Sequence, residues 1–153
     1  MIRVAMQASI RKRMKQALRH AGSREVGGIL MGQQLAVGHF AIVDFSLDDI
    51  SGQDAHFVRD PENHRRALEH FFDQTGHDYQ TFNYLGEWHS HPSFPARPSS
   101  IDIRSMQDLV EGEREIDFAV LLIVRLGFLG RLIASASLHK RGQPNEHVDL
   151  TIS

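Results

Sequence analysis

The chain has 153 residues, 41% of them hydrophobic, enough to bury roughly two-thirds of its unfolded surface, and one domain over residues 1–153 is expected. Seventeen Lys and Arg stand against nineteen Asp and Glu, a net charge of -2 with no long run of like charge, so neither nucleic acid nor an anionic membrane is an expected partner. There is no cysteine, which excludes disulfides, thiolate metal sites and thiol nucleophiles and leaves His, Asp and Glu as the residues to hold any metal.

The first stretch, MIRVAMQASIRKRMKQALRHAG, lacks the continuous apolar block of a secretory signal and reads as folded protein. Within it Ile10, Met14 and Leu18 recur at i, i+4, i+8 among basic residues, which predicts an amphipathic helix ending near Gly22 with its apolar stripe on a core. EVGGILMGQQLAVGHFAIVDF follows as two apolar runs split between Gly32 and Gly38, a hairpin with a loose turn. DPENHRRALEHFFDQTG places Asp60 as a cap, Pro61 in the first turn and Gly76 near the end of a second helix. The polar stretch between these elements, residues 46–61, is a surface loop or a lid over a site.

TFNYLGEWHSH alternates as a strand, SSIDIRSMQDLVEG reads as a third helix with a capped start, and IDFAVLLIVRLG with FLGRLIASASLHK form two strands joined at a glycine-containing turn. HVDLTIS is a short final run. The run Phe118 to Val124 is too short to span a bilayer as a helix, so no membrane segment is expected and a cytoplasmic location follows by default. Helices interspersed among mainly hairpin-linked strands predict an α+β fold, an α-β-α sandwich on a mixed, mainly antiparallel sheet.

The chemistry concentrates in GEWHSHPSFPARPSSID. On a strand, side chains alternate, so Glu87, His89 and His91 share one face and Trp88 and Ser90 the other, with Trp88 in the core. Two imidazoles on one rigid strand are good zinc ligands at about 2.0–2.1 Å. Pro92, Pro95 and Pro98 stiffen the excursion that follows, and Ser99 and Asp102 have the Ser-x-x-acid spacing of a helix start, so Asp102 is placed to be the third ligand. Three protein ligands with one open position describe a catalytic ion, not a structural one. A cupin would need a Glu where Pro95 and Ala96 stand, and a metallo-β-lactamase an Asp-His where Ser93 and Phe94 stand. The remaining histidines, His20, His39, His56, His64, His70, His77, His139 and His147, show no paired spacing and read as surface or partly buried. On spacing alone the proton acceptor for such a site is Glu87, two residues from His89 on the same face.

His89-Ser90-His91-Pro92, the seven residues Pro92 to Pro98, and Ser99-Ser100-Ile101-Asp102 together resemble the JAMM (MPN-plus) zinc metalloprotease motif, His-x-His, seven residues, Ser-x-x-Asp. The segment Glu25-Val26-Gly27-Gly28-Ile29-Leu30-Met31-Gly32 is similar to the upstream strand on which that family carries a glutamate, and the element order matches from about residue 5 to 140. The resemblance implies the cytidine-deaminase-like MPN/JAMM fold, Zn2+ on His89, His91 and Asp102, Glu25 rather than Glu87 as general acid and base, and Ser99 stabilising the oxyanion. It further implies a compact prokaryotic isopeptidase that cuts after the C-terminal tail of a ubiquitin-like protein or its conjugate. An extended tail of that kind could add as a strand at a sheet edge. The sequence leaves two other readings, a non-catalytic MPN scaffold and a zinc amidase acting on cell-wall or other small peptides.

Overall fold

The computed structural model describes residues 1–48, 59–113 and 115–153. A short strand β1 (Arg3–Met6) enters helix α1 (Ala8–Ala21); the hairpin β2 (Gly27–Ala36) and β3 (His39–Phe45) follows, then α2 (Pro61–Gln74), β4 (Phe82–Ser90), α3 (Ser100–Gly112), β5 (Phe118–Leu126), β6 (Leu132–Lys140), β7 (Glu146–His147) and β8 (Asp149–Ile152). The strands form one mixed sheet in the order β7-β6-β5-β4-β2-β3-β1-β8. The predicted α+β architecture is therefore the observed one, with α1 on one face and α2 and α3 on the other.

α1 forms where the apolar spacing places it: Ile10, Met14, Leu18 and Ala21 are buried together with Val4, Met6, Leu30, Ile42, Trp88 and the β5 residues Val120, Leu122 and Val124. Gly22, at φ 62, closes the helix with its N–H on the Leu18 carbonyl. On the opposite face Met106 and Val110 of α3 pack on Ala119, Leu121 and Ile123, and Phe71 of α2 packs on Ile29 and Met31. α2 starts as its sequence prescribes, the Asp60 carboxylate accepting the Asn63 N–H at 3.1 Å ahead of Pro61.

Four details depart from the sequence reading. β1 is a separate strand; four residues are too few to show a period, yet Val4 and Met6 face the core and the strand pairs in parallel with β3 and β8. The hairpin turn is tight, with Ala36 opposite His39 and Gly38 supplying φ 71, while Gly32 lies inside β2 at a register shift. The final run bridges both sides of the sheet, its start pairing with β6 and its end with β1. His139, expected to be at the surface or partly buried, is fully buried with Nε2 on the Ser137 hydroxyl at 2.9 Å, and burial depresses its pKa. Among the described residues no helix is long and apolar enough to cross a membrane.

Candidate metal centre

β4 runs through the middle of the sheet, antiparallel to β2 and parallel to β5. Its alternation separates the motif as expected. Glu87, His89 and His91 open on a cleft of about 890 Å³, whereas Trp88 is fully buried on the other face, its indole N–H on the Ser46 carbonyl at 2.9 Å and its ring edge-on to Phe45. His91 lies just past the strand but its N–H continues the ladder to the Val124 carbonyl at 2.9 Å, so both imidazoles hang from fixed backbone.

The histidines meet the acid of the third helix. His89 Nε2 is 3.2 Å from Asp102 Oδ1 and His91 Nε2 is 3.2 Å from Asp102 Oδ2. Asp102 reaches them because it belongs to the first turn of α3: the Ser99 hydroxyl accepts the Asp102 N–H at 3.1 Å, and Asp102 Oδ2 accepts the Ser99 N–H at 2.8 Å, a complete capping box. The capping pair and the third donor are thus one pair of residues. Burial pushes the Asp102 carboxyl up, but the hydrogen bonds from His89 and His91 outweigh it and hold the group well below the usual carboxylate range. The Asp102 contact in turn raises the His91 pKa against the opposite pull of burial.

Glu25 arrives from far away in the chain. The Val26 N–H donates to Ser90 Oγ at 3.0 Å and the Ser90 N–H to the Val26 carbonyl at 2.8 Å, so the middle residue of His-Ser-His ties down the segment that carries Glu25. Next to it Gly27 lies opposite His89, where a Cβ would sit 2.3 Å from the Trp88 carbonyl oxygen; only glycine permits that approach. The result is a Glu25, His89, His91 group with one donor atom from each within 4.8 Å of the others, all three residues buried. That group could hold a metal ion.

The donor chemistry fits zinc. Bonds of about 2.0–2.1 Å in tetrahedral geometry place donor atoms about 3.3 Å apart, and each oxygen of Asp102 stands 3.2 Å from one of the two rings. His91 Nδ1 faces the Pro95 carbonyl at 3.0 Å, which in the neutral ring directs that proton away and leaves the Nε2 lone pair for an ion. Proline in the loop therefore orients the His91 ring as well as stiffening the chain.

Glu87 behaves differently from its place in the sequence. Arg59 Nε lies 2.8 Å from both of its carboxylate oxygens and Nη2 2.7 Å from Oε1, so Glu87 is engaged by a guanidinium and stands outside the Glu25, His89, His91 group. Spacing could not reveal Arg59, 28 residues upstream. Most of the stretch read as a surface loop or a lid lies outside the described residues; its two ends do not, and they are held by Asp48, a buried residue that sequence reading passed over. Asp48 accepts from the Asn63 amide, the His64 ring and the Asp60 N–H, and its own N–H reaches the Gly27 carbonyl at 2.6 Å.

Residues 7–136 match the family described as prokaryotic homologs of the JAB domain. A protein of Escherichia coli (strain TW11681) named CD-NTase/cGAS isopeptidase is 34% identical over 90 residues, 56% of this chain and 54% of that relative, so the match spans about half the relative's length. A solution structure of a protein from Desulfitobacterium hafniense superposes with a TM-score of 0.73 at 20% identity, covering 98% of this chain and 92% of the other. One from Salinibacter ruber (strain DSM 13855) gives 0.57 at 18% identity over 97% and 91%. At such identities the two structures speak for the fold alone. The sequence match over most of its length places the chain among the prokaryotic homologs of the JAB domain.

Proposed function

We propose that the chain is a zinc-dependent isopeptidase, acting in the cytoplasm as a single domain over residues 1–153, that cleaves after the C-terminal tail of a ubiquitin-like protein. The observation that carries this is the convergence of His89, His91 and Asp102 at 3.2 Å contacts with Glu25 beside them in an open cleft. The relative's name, CD-NTase/cGAS isopeptidase, supports the reaction type.

His89, His91 and Asp102 hold the ion in this reading. Bound zinc supplies Lewis acidity, polarising the scissile carbonyl and bringing the pKa of an attacking water to about 7. Glu25 takes the proton from that water as its oxygen bonds to the carbonyl carbon, then passes it to the amine nitrogen as the C–N bond breaks. Ser99 donates to the oxygen on which negative charge develops; its part in the helix cap uses a lone pair of Oγ and leaves the hydroxyl proton available. The structure also changes how a tail would be held. β4 is flanked by β2 and β5, and the outer strands β7 and β8 lie elsewhere in the sheet, so among the described residues no free edge borders the cleft. Groups that line the cleft are placed to take part in that task.

A ubiquitin-like protein fused through its C-terminal glycine to a reporter is the test. Zinc-loaded protein cleaves it, chelator stops cleavage, and Glu25→Gln lowers kcat by about 10²- to 10⁴-fold with zinc retained. Bound zinc without cleavage across a broad set of such fusions sinks the proposal in favour of a scaffold. Loss of hydrolysis in Glu87→Gln but not in Glu25→Gln would overturn the choice of base.

A further inference from the structure

Arg59 stands one residue before the N-cap of α2 and lines the same cleft as Glu25, His89 and His91. Its place is fixed from two directions. The neighbouring Asp60 N–H is bound by buried Asp48, which is tied to Gly27 beside the metal centre, and the guanidinium lies on Glu87, with Nη2 also 4.0 Å from Met106 Sδ. Glu87 is almost wholly buried, yet Arg59 keeps a third of its side-chain surface open, 33% against 7%. Nε and Nη2 make the contacts to Glu87. The guanidinium has five donors in a rigid fork, more than that carboxylate uses.

We propose that Arg59 is a substrate-positioning residue that donates to a main-chain carbonyl of the peptide, two residues from the scissile bond. This rests on the isopeptidase reading above. The register supplies the distance: Glu87 and His89 are two residues apart on one face of β4, about 6.7 Å, which is also the repeat of same-side carbonyls in an extended peptide. A chain lying along the cleft with its reacting carbonyl at the histidines therefore brings another carbonyl level with Arg59. Glu87 already balances the charge of Arg59, so what the fork has left to offer is a hydrogen-bond donor, which a neutral main-chain carbonyl can accept. The cleft would then hold a tail by its backbone, whatever its side chains.

The test measures binding apart from catalysis. Zinc-loaded Glu25→Gln protein is titrated calorimetrically with a ubiquitin C-terminal peptide joined through its last glycine to the Nε of a lysine. Adding Arg59→Ala should weaken Kd about tenfold with zinc content unchanged, and Arg59→Lys should recover part of the loss. Peptides whose carbonyls two residues to either side of the scissile bond are reduced to methylene, one at a time, supply the second arm. One of them should bind the arginine protein about tenfold more weakly and the Arg59→Ala protein no differently from the intact peptide. Equal affinity of the arginine and alanine proteins for the intact peptide overturns the assignment, as does equal loss in both with every reduced peptide. Tight peptide binding without cleavage by the unaltered chain sinks the isopeptidase reading and leaves Arg59 standing; no binding at all sinks both.

Discussion

Of the aspartates that contact histidine, Asp48 and Asp102 serve opposite ends. Asp48, with its side chain fully buried, accepts from the Asn63 amide, the His64 ring and the Asp60 N–H, and with its own N–H on the Gly27 carbonyl the cluster fastens α2 to the start of β2. Asp102 joins two rings that face each other across its two oxygens, in a cleft, 16% of its side chain exposed. The residue types barely differ. What differs is whether imidazole nitrogens converge: among the described residues, two of them come together at Asp102 with a glutamate beside them.

Removing each carboxylate tests that contrast most severely. Asp48→Ala strips several buried donors of their acceptor, a loss of about 3 kcal/mol and about 10 °C in Tm for a domain of this size, with zinc still bound by the protein that folds. Asp102→Ala should cost metal-free protein about 1 kcal/mol, the worth of a helix cap, but abolish zinc binding and with it the gain of about 2.7 kcal/mol expected at a hundredfold excess of zinc over Kd. Thermal melts with and without zinc, with metal content per folded chain, read both. Stoichiometric zinc in Asp102→Ala, or its loss from a stable Asp48→Ala, would erase the distinction.

The same contrast explains how much could be read from the sequence. His89, His91, Ser99 and Asp102 lie within fourteen residues, on a strand and a helix start whose periodicity and cap fix the directions of their side chains. Their geometry is local and therefore legible. Glu25 comes near only because β2 pairs with β4 in a register that sets Gly27 against His89, a fact of tertiary structure that spacing does not carry; resemblance supplied it instead. Spacing pointed to Glu87, and the partner that engages it, Arg59, sits in a stretch with no period or cap to announce it. The Asp48 cluster was hidden for the same reason, since its partners approach through the start of α2. Ser90 offered one missed clue: a small hydroxyl residue between the two histidines, facing away from them, has a backbone N–H within reach only if another strand begins there.

A finer cut concerns Ser99, which belongs to the helix cap and to the cleft at once. Ser99→Gly costs a few tenths of a kcal/mol as a cap, so any larger effect must come through the lost hydroxyl. A fall in kcat of about 10²-fold is expected, the lower range for loss of one oxyanion donor, with KM and zinc content little changed. Steady-state kinetics beside a melting curve separates the roles. A Ser99→Gly enzyme with unaltered kcat would leave this hydroxyl a cap and nothing more.

The mildest test uses protons. In metal-free protein the raised pKa of His91 means its pairing with Asp102 contributes stability in full below the ordinary imidazole value of 6.5, and loses it as pH rises through the raised value. The lowered pKa of Asp102 contributes stability above its ordinary 3.8, lost as pH falls through the depressed value. Metal-free protein is thus best served by this pair between about pH 4 and 6.5. In the proposed site zinc would take the His91 Nε2 lone pair, so loading would expel that proton, and apparent affinity should climb by up to about tenfold per pH unit until the raised value is passed. Calorimetry of zinc binding in buffers of different ionisation enthalpy counts the protons released. Affinity that stays flat from pH 6 to 8, with no proton release, would mean that the ion is held without His91, and the 3.2 Å contact to Asp102 would then be a structural contact between ring and carboxylate, like that of His64 with Asp48.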